Sequence, residues 1–230
     1  FLWLFAAFMV VYVLLQRKYT ARIMFVTLFS YYFYYKSSGT YFFLLAIVTV
    51  ADFFLAQLMD RVEGYWKRKG LVALSLGVNL GLLAYFKYTN FLGGVIASLM
   101  GGEFTALDIF LPVGISFFTF QTISYVIDVY RGVVKAERNF GLYALFIAFF
   151  PQVTSGPIGR AAALLPQLKK PEHLCHYNVM EGLKQMVWGY FMKLCVADRL
   201  AIYVDVAYGN FEHHNGTTLL LASFFYSIQI

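Results

Sequence analysis

Apolar residues run in eight stretches along the chain: about Phe1 to Leu15, Ile23 to Tyr35, Tyr41 to Met59, Leu71 to Phe91, Ile109 to Val129, Phe140 to Phe150, Met180 to Val206, and Leu219 to the last residue. Polar residues gather in the short loops between them. No stretch alternates with period two, which argues against a closed barrel, so each is predicted to be a helix that satisfies its own backbone hydrogen bonds. A hydrocarbon core about 30 Å thick asks for about 20 helical residues, and the opening stretch is shorter than that. The chain starts Phe1-Leu2-Trp3 without an initiator methionine and stops inside an apolar run at Ser227-Ile228-Gln229-Ile230. This pattern predicts a piece cut at both ends, with the first turn of the first span missing. No basic region or small-residue cleavage site precedes that span, so it does not read as a signal peptide.

Composition sharpens the class. Hydrophobic residues make up 60% of the 230 positions and charged residues 13%, against roughly 25% charged in an ordinary soluble domain. The formal charge of +6 does not form the single basic stripe of a nucleic-acid surface. Instead Arg17, Lys18 and Arg22 fall in the first loop, Arg61, Lys67, Arg68 and Lys69 in the third, and Arg131, Lys135 and Arg138 in the fifth. Lys36 is alone in the second loop, and the stretches 93–108 and 208–216 have no basic residue. Basic residues favour the cytoplasm, so odd loops are predicted inside and even loops outside.

One stretch breaks that alternation. Arg138 lies before Phe140 to Phe150, and Arg160, Lys169 and Lys170 lie after it, yet both groups read as cytoplasmic. The stretch is short and runs into Pro151, Gly156-Pro157 and Gly159, residues that end or kink helices. A re-entrant segment that dips in and returns is predicted. Such backbone is tolerated only where protein or water covers it, so it should line an internal cavity. The alternative is a kinked full span followed by an outside loop.

Ionisable groups inside spans point to function by default. Asp52 stands in Tyr41 to Met59 and must find a partner on another helix or give up its charge; a structural interhelical hydrogen bond and a cavity role are both open. Lys87 can snorkel from a helix end. Asp128 precedes Arg131 by one turn, the spacing of a local ion pair, while Lys193, Asp198 and Arg199 either pair or line an aqueous cavity. His173, His176, His213 and His214 all fall in predicted loops, where none makes a good buried general base. The adjacent His213-His214 pair lacks further ligands, and no metal site is expected. Cys175 and Cys195 have no C-x-x-C spacing and read as plain thiols. Tyr31, Tyr32, Tyr34 and Tyr35 beside Lys36 read as an interfacial aromatic belt, with a ligand-binding aromatic cage as the alternative.

Two segments carry a resemblance. Leu111-Pro112-Val113-Gly114-Ile115-Ser116-Phe117-Phe118-Thr119-Phe120-Gln121, continuing through Ser124-Tyr125 and Ile127-Asp128-Val129-Tyr130-Arg131-Gly132, resembles the membrane-bound O-acyltransferase family. It is most similar to the branch of the alginate O-acetylation and teichoic-acid D-alanylation membrane proteins. Phe149-Phe150-Pro151-Gln152, followed by Ser155-Gly156-Pro157-Ile158 and Arg160, is similar to that family's Pro-Gln and Gly-Pro-Ile signature. Asp52 and the stretch around Tyr85-Phe86-Lys87-Tyr88 also fit.

The resemblance implies an all-α polytopic membrane protein, with about seven transmembrane helices plus the re-entrant segment forming part of a ring-like helical acyltransferase fold. It implies transfer of an acyl group, acetyl foremost, to hydroxyls of an exported polysaccharide or cell-envelope polymer. The donor would be acetyl-CoA or an acyl carrier, with no bound cofactor. Implied partners are the lipid bilayer, the polymer acceptor and an acyl-carrier or extracytoplasmic protein, with no nucleic acid; the location is the bacterial inner membrane. The family's catalytic histidine sits in a Trp-His-type motif absent from these residues, so it is expected beyond Ile230. Residues 1–230 would then be a single membrane domain lacking the C-terminal catalytic portion, inactive alone. Candidates for the substrate tunnel or structural motif are Asp52, Gln121, Tyr125, Asp128, Gln152, Ser155, Gly156, Pro157 and Arg160. A thioester-to-hydroxyl transfer needs a base and donors to the oxyanion, and Gln121, Gln152 and Ser155 are the polar side chains suited to orient a substrate. Arg131, Arg160 and Lys169 would attract an anionic donor at the cytoplasmic mouth. The rival class is a transporter or scaffold for a lipid-linked glycan. It would need broken helices in both halves, and the sequence offers one.

Overall fold

The structure, a computed structural model, describes residues 2–102, 104–154, 156–170 and 175–230. It divides into two compact units, Phe1–Glu172 and His173–Ile230. Among the described residues every regular element is helical.

The first unit starts with α1 (Leu2–Leu15), α2 (Tyr19–Ser38), α3 (Phe42–Arg61) and α4 (Tyr65–Leu83). A π-helical turn, Ala84–Tyr88, carries α4 on into α5 (Thr89–Met100). Then come α6 (Ile115–Tyr130), α7 (Phe140–Ala148) and α8 (Ala161–Lys169). Neighbours alternate in direction. Phe8 of α1 stacks on Phe25 of α2 at 5.4 Å and meets Phe29 at a tilt at 4.6 Å. The Tyr31 hydroxyl of α2 donates to Thr49 Oγ1 of α3 at 3.3 Å, a pairing that folds Tyr19–Arg61 into an antiparallel hairpin about Gly39–Tyr41. The stretches Tyr19–Arg61 and Tyr65–Met100 are each long and apolar enough to cross a membrane. The α3–α4 turn needs Gly64, whose φ of 116° only glycine adopts without strain.

The basic loops meet at one end of this unit. Arg68, at the start of α4, donates to the carbonyls of Val129 and Tyr130 at the end of α6. Gln57 of α3 donates to the Glu137 carbonyl. Arg22, at the start of α2, donates to the carbonyls of Leu168 and Lys170 at the end of α8. At the opposite end, Tyr41 stacks on Phe110 at 5.3 Å and Ser38 Oγ accepts from Val113 N. The charge pattern of the loops therefore corresponds to one physical face.

The second unit contains α9 (His176–Phe191), a π-helical turn at Met192–Ala197, α10 (Asp198–Gly209) and α11 (Gly216–Gln229). α10 and α11 form a hairpin joined by Tyr208 and Ser223 hydroxyls at 2.8 Å and by Tyr203 against Phe225. Lys193 pairs with Asp198 at 2.8 Å, both side chains exposed. The α9 face bearing Met180, Leu183, Val187, Trp188 and Phe191 is exposed.

Several elements differ from expectation, α2, α4 and α11 among them, which begin at Tyr19, Tyr65 and Gly216. The stretch read from Ile109 becomes helical only at Ile115, because Pro112 has no N–H to give and Gly114 sits at φ 74°. The stretch read from Met180 begins at His176, so this histidine opens a helix instead of lying in a loop. The helix Ala161–Lys169 was not foreseen; it is short and has Pro166 inside it.

Candidate functional site

The first layer of the site is a buried carboxylate. Asp52, on α3, is 1% exposed. Its Oδ1 accepts from the Ser75 hydroxyl and its Oδ2 from Asn79 Nδ2 at 2.7 Å. Ser75 and Asn79 are four apart on α4, so both project from one face toward α3. The Asn79 amide is steadied further by the Ser75 carbonyl at 3.0 Å. Of the two roles left open for Asp52, the interhelical hydrogen bond is realised. Beside it stands Tyr143 of α7, buried, its hydroxyl without a hydrogen-bond partner among the described residues. The Tyr143 ring packs on Phe53 at 5.6 Å and on Tyr125 at 4.8 Å. The Tyr125 hydroxyl accepts from Glu137 N at 2.8 Å. Glu137 Oε1 accepts from the N–H groups of Arg138 and Asn139, while Oε2 pairs with Lys169 at 2.6 Å. A line of polar groups thus leads from Asp52 to the basic end.

The second layer is the segment between α6 and α8. α7 has nine residues, about 14 Å of helix at 1.5 Å per residue, too short to cross a bilayer. Its residues Leu142, Tyr143, Ala144, Leu145, Phe146, Ile147 and Ala148 are all buried, so it is apolar all round because protein surrounds it. Asn139 starts it, its side chain accepting from Leu142 N. Phe149 to Arg160 then turns, and α8 brings the chain back. The Glu137–Lys169 pair ties the two ends of the excursion together, so the chain enters and leaves at the same end of the bundle.

Inside the bundle, the ends of α7 need partners for backbone groups that no helix bonds. Gln121 of α6 donates from Nε2 to the Phe146 carbonyl at 2.6 Å, and Ser30 Oγ of α2 accepts from Phe150 N at 3.3 Å. The turn itself is closed by Gln152 N and Val153 N donating to the Phe149 carbonyl, and by Gly156 N donating to the Gln152 carbonyl. It packs tightly. A Cβ on Gly114 would lie 2.1 Å from the Val153 carbonyl oxygen, and one on Gly156 would lie 2.4 Å from Gln152 Cα. Glycine is required at both positions by contact. Among the described residues Gln152 Oε1 is buried without a hydrogen-bond partner, and a Cβ added at Gly159 would lie 3.0 Å from it and 3.9 Å from Gln121 Nε2. The Pro-Gln and Gly-Pro-Ile signatures are therefore one object, folded against the start of α6.

The remaining candidates are dispersed. Asp128 is half-buried and contributes its backbone carbonyl to Val133 N and Val134 N; no ion pair joins it to the exposed Arg131, contrary to the spacing argument. A solvated pair of that kind is worth little. Pro157 and Arg160 are exposed, and the Arg160 carbonyl starts α8 by accepting from Ala163 N and Leu164 N. Ser155 lies outside the described residues, as does His173. Lys87 is exposed on the π-helical turn with its ammonium 5.6 Å from the Tyr88 ring centroid. Sequence reasoning passed over Ser75, Asn79, Glu137 and Tyr143. The first two carried a usable signal: polar residues four apart within an apolar stretch.

Chemically, the arrangement can hold a carboxylate dry, keep a non-helical turn rigid and present amide groups beside it. Among the described residues, no three His, Cys, Asp or Glu side chains gather as a metal site. His176 and His213 are exposed and distant in sequence from this network.

Fold and site together define a helical membrane protein built around a buried carboxylate and an enclosed helix-turn-helix excursion. The chain is 39% identical over 136 residues to the probable alginate O-acetylase of Pseudomonas putida, covering 57% of this chain and 28% of that protein. It is 37% identical over 172 residues to the probable alginate O-acetylase of Pseudomonas aeruginosa, covering 70% and 32%. It is 29% identical over 208 residues to the peptidoglycan O-acetyltransferase of Helicobacter pylori, covering 79% and 39%. These relatives place the chain in the membrane-bound O-acyltransferase family. The chain spans about a third of the length of the curated relatives it matches. No protein-family model matches it, and no solved structure does.

Proposed function

We propose that this chain is the scaffold portion of a multi-pass bacterial inner-membrane O-acyltransferase that moves an acyl group, acetyl foremost, onto hydroxyls of an exported polysaccharide or cell-envelope polymer. The observation that carries the reading is that relatives named for two different polymers, alginate and peptidoglycan, share the same chemistry, O-acetylation, and match this chain over most of its length. The enclosed excursion supports it. A helix that enters and returns leaves non-helical backbone inside the bundle, which is tolerated where it lines a protected path. Seven crossings with one re-entrant element, arranged as part of a ring, is the architecture we assign.

The reaction forms a carbon–oxygen bond and breaks the donor's carbon–sulfur bond. The acceptor hydroxyl loses its proton to a base as it attacks the thioester carbonyl, and the departing thiolate takes up a proton. Preorganised donors must hold the oxyanion. Gln121 and Gln152 hold the turn that would wall this path, and the basic end draws an anionic donor, acetyl-CoA or an acyl carrier, by its field. The base is supplied by a histidine in an apolar segment beyond Ile230.

The full-length protein tests this. Expressed in a strain lacking its own polymer O-acetylation, it should raise the acetyl ester content of the exported polymer, and alanine at the downstream histidine should abolish that gain at matched expression. Full activity of the alanine variant would overturn the mechanism, and the lack of any downstream intramembrane histidine would favour the glycan transporter or scaffold.

A further inference from the structure

A cavity of about 260 Å³ lies between α1, α2, the end of α7 and α8, away from the Asp52 network. Phe5, Phe8, Met9, Tyr12, Ile23, Val26, Leu145, Phe149 and Phe150 give it apolar walls, and Arg22, Gln167 and Lys170 give it one polar rim. The rim stands at the basic end. Arg17 and Lys18 are exposed on the adjoining α1–α2 loop.

Arg22 is unusual. It is 3% exposed, yet its two hydrogen bonds go to the neutral carbonyls of Leu168 and Lys170. Both leave from Nη2, so Nε and Nη1 keep the other donors of the guanidinium's five N–H groups. Among the described residues no carboxylate pairs with it, and the Tyr19 ring centroid lies 5.8 Å from its guanidinium carbon. A charge withdrawn from water without a counter-charge is costly. The site thus offers a basic mouth, made by Arg22 and Lys170, and an apolar interior behind it.

We propose that this cavity binds an anionic phospholipid from the cytoplasmic leaflet, with one acyl chain between α1 and α8 and the phosphate on Arg22 and Lys170. Charge complementarity decides the occupant. A neutral hydrocarbon would leave the basic rim of Arg22 and Lys170 unmatched, and a free anion would leave the apolar walls empty. Basic pockets between helices on the cytoplasmic side are the physical setting for anionic headgroups. The bound lipid would brace α1, whose aromatic contact with the rest of the unit runs through Phe8 to Phe25, Phe29 and Phe150.

The test uses the full-length protein, delipidated in neutral detergent, with thermal unfolding as readout. Phosphatidylglycerol should raise Tm by about 5 °C or more, phosphatidylcholine by less than half as much, and inorganic phosphate not at all. Met9→Trp fills the apolar interior and should remove the phosphatidylglycerol shift; Lys170→Gln should bring phosphatidylglycerol down to the phosphatidylcholine value. Arg22→Gln can fail to fold because it also ties α2 to α8, which is why the other two variants carry the test. Equal shifts with both lipids, an unchanged shift in Met9→Trp, or a full shift with phosphate alone would each overturn the proposal.

Discussion

Replacing Asp52 by leucine and by asparagine separates a structural carboxylate from a chemical one. Leucine removes both acceptors. The Ser75 hydroxyl and one Asn79 N–H then lose their partner in a place where Asp52 itself is 1% exposed. An orphaned buried donor costs about 1–3 kcal/mol, so two would cost about 2–6 kcal/mol. Two facts favour the low end. Ser75 can turn its hydroxyl back to a carbonyl one helical turn earlier, and Asn79 keeps its bond to the Ser75 carbonyl. Interhelical hydrogen bonds in membranes average about 0.6 kcal/mol and reach about 1.7. The expected loss for Asp52→Leu is therefore about 2–3 kcal/mol, read as a lowered Tm. Asparagine keeps the acceptor for Ser75, and Asn79 Oδ1, which has no partner, can rotate to accept from the new amide. Asp52→Asn should cost less than about 1 kcal/mol. Thermal unfolding of the full-length protein in detergent, with polymer acetylation measured in parallel, reads both. Equal destabilisation by the two substitutions, or no destabilisation by leucine, would refute this account of the network. Normal stability with lost acetylation in Asp52→Asn would show that the carboxylate has work beyond packing.

Gly114→Val should prevent accumulation of folded protein, since its Cβ would meet the Val153 carbonyl at 2.1 Å and its φ is positive, whereas Gly132→Ala, with the same φ of 74° but open space around it, should cost only about 1–2 kcal/mol; detergent-solubilised yield and Tm compare them. Gln121→Leu leaves the Phe146 carbonyl unbonded and should cost about 1–3 kcal/mol, with a larger fall in acetylation than in Tm if the turn it holds walls the acyl path. Single cysteines at Asn139 and Lys170 in a Cys-free background should both be shielded from an impermeant thiol reagent in intact cells, together with one at Lys67; opposite sidedness of the first two would make the excursion an ordinary crossing.

Helix existence and the segregation of charge were legible because both follow from local composition: apolar runs must bond their own backbone, and basic loops collect at one end. The excursion was legible for a less direct reason. Arg138 and Lys169 could not share a side if Phe140 to Phe150 crossed, and the structure joins their neighbourhoods through Glu137 and Lys169. What stayed hidden were the partners. Ser75 and Asn79 looked like ordinary polar interruptions until α4 was laid against α3. Glu137 read as one more loop charge, although it bonds two backbone N–H groups and a lysine. Arg22 read as a topology signal only. Its burial depends on α8, a helix with Pro166 inside and no long apolar run to announce it.

The excursion also explains why so many polar side chains are buried in so apolar a unit. A non-helical turn inside the bundle leaves backbone groups that must be bonded, and the neighbouring helices supply the partners: Ser30 for Phe150 N and Gln121 for the Phe146 carbonyl. Each of these residues answers a demand that the chain's path creates. Asp52 answers none, because α3 and α4 are regular helices around it and its partners are side chains. An apolar trio at positions 52, 75 and 79 would pack those helices without burying a carboxyl group, at a comparable or better stability by the usual balance of desolvation against pairing. The carboxylate network is therefore the part of the scaffold that backbone satisfaction does not require, and it is where the acylation assay on Asp52→Asn has the most power to separate chemistry from architecture.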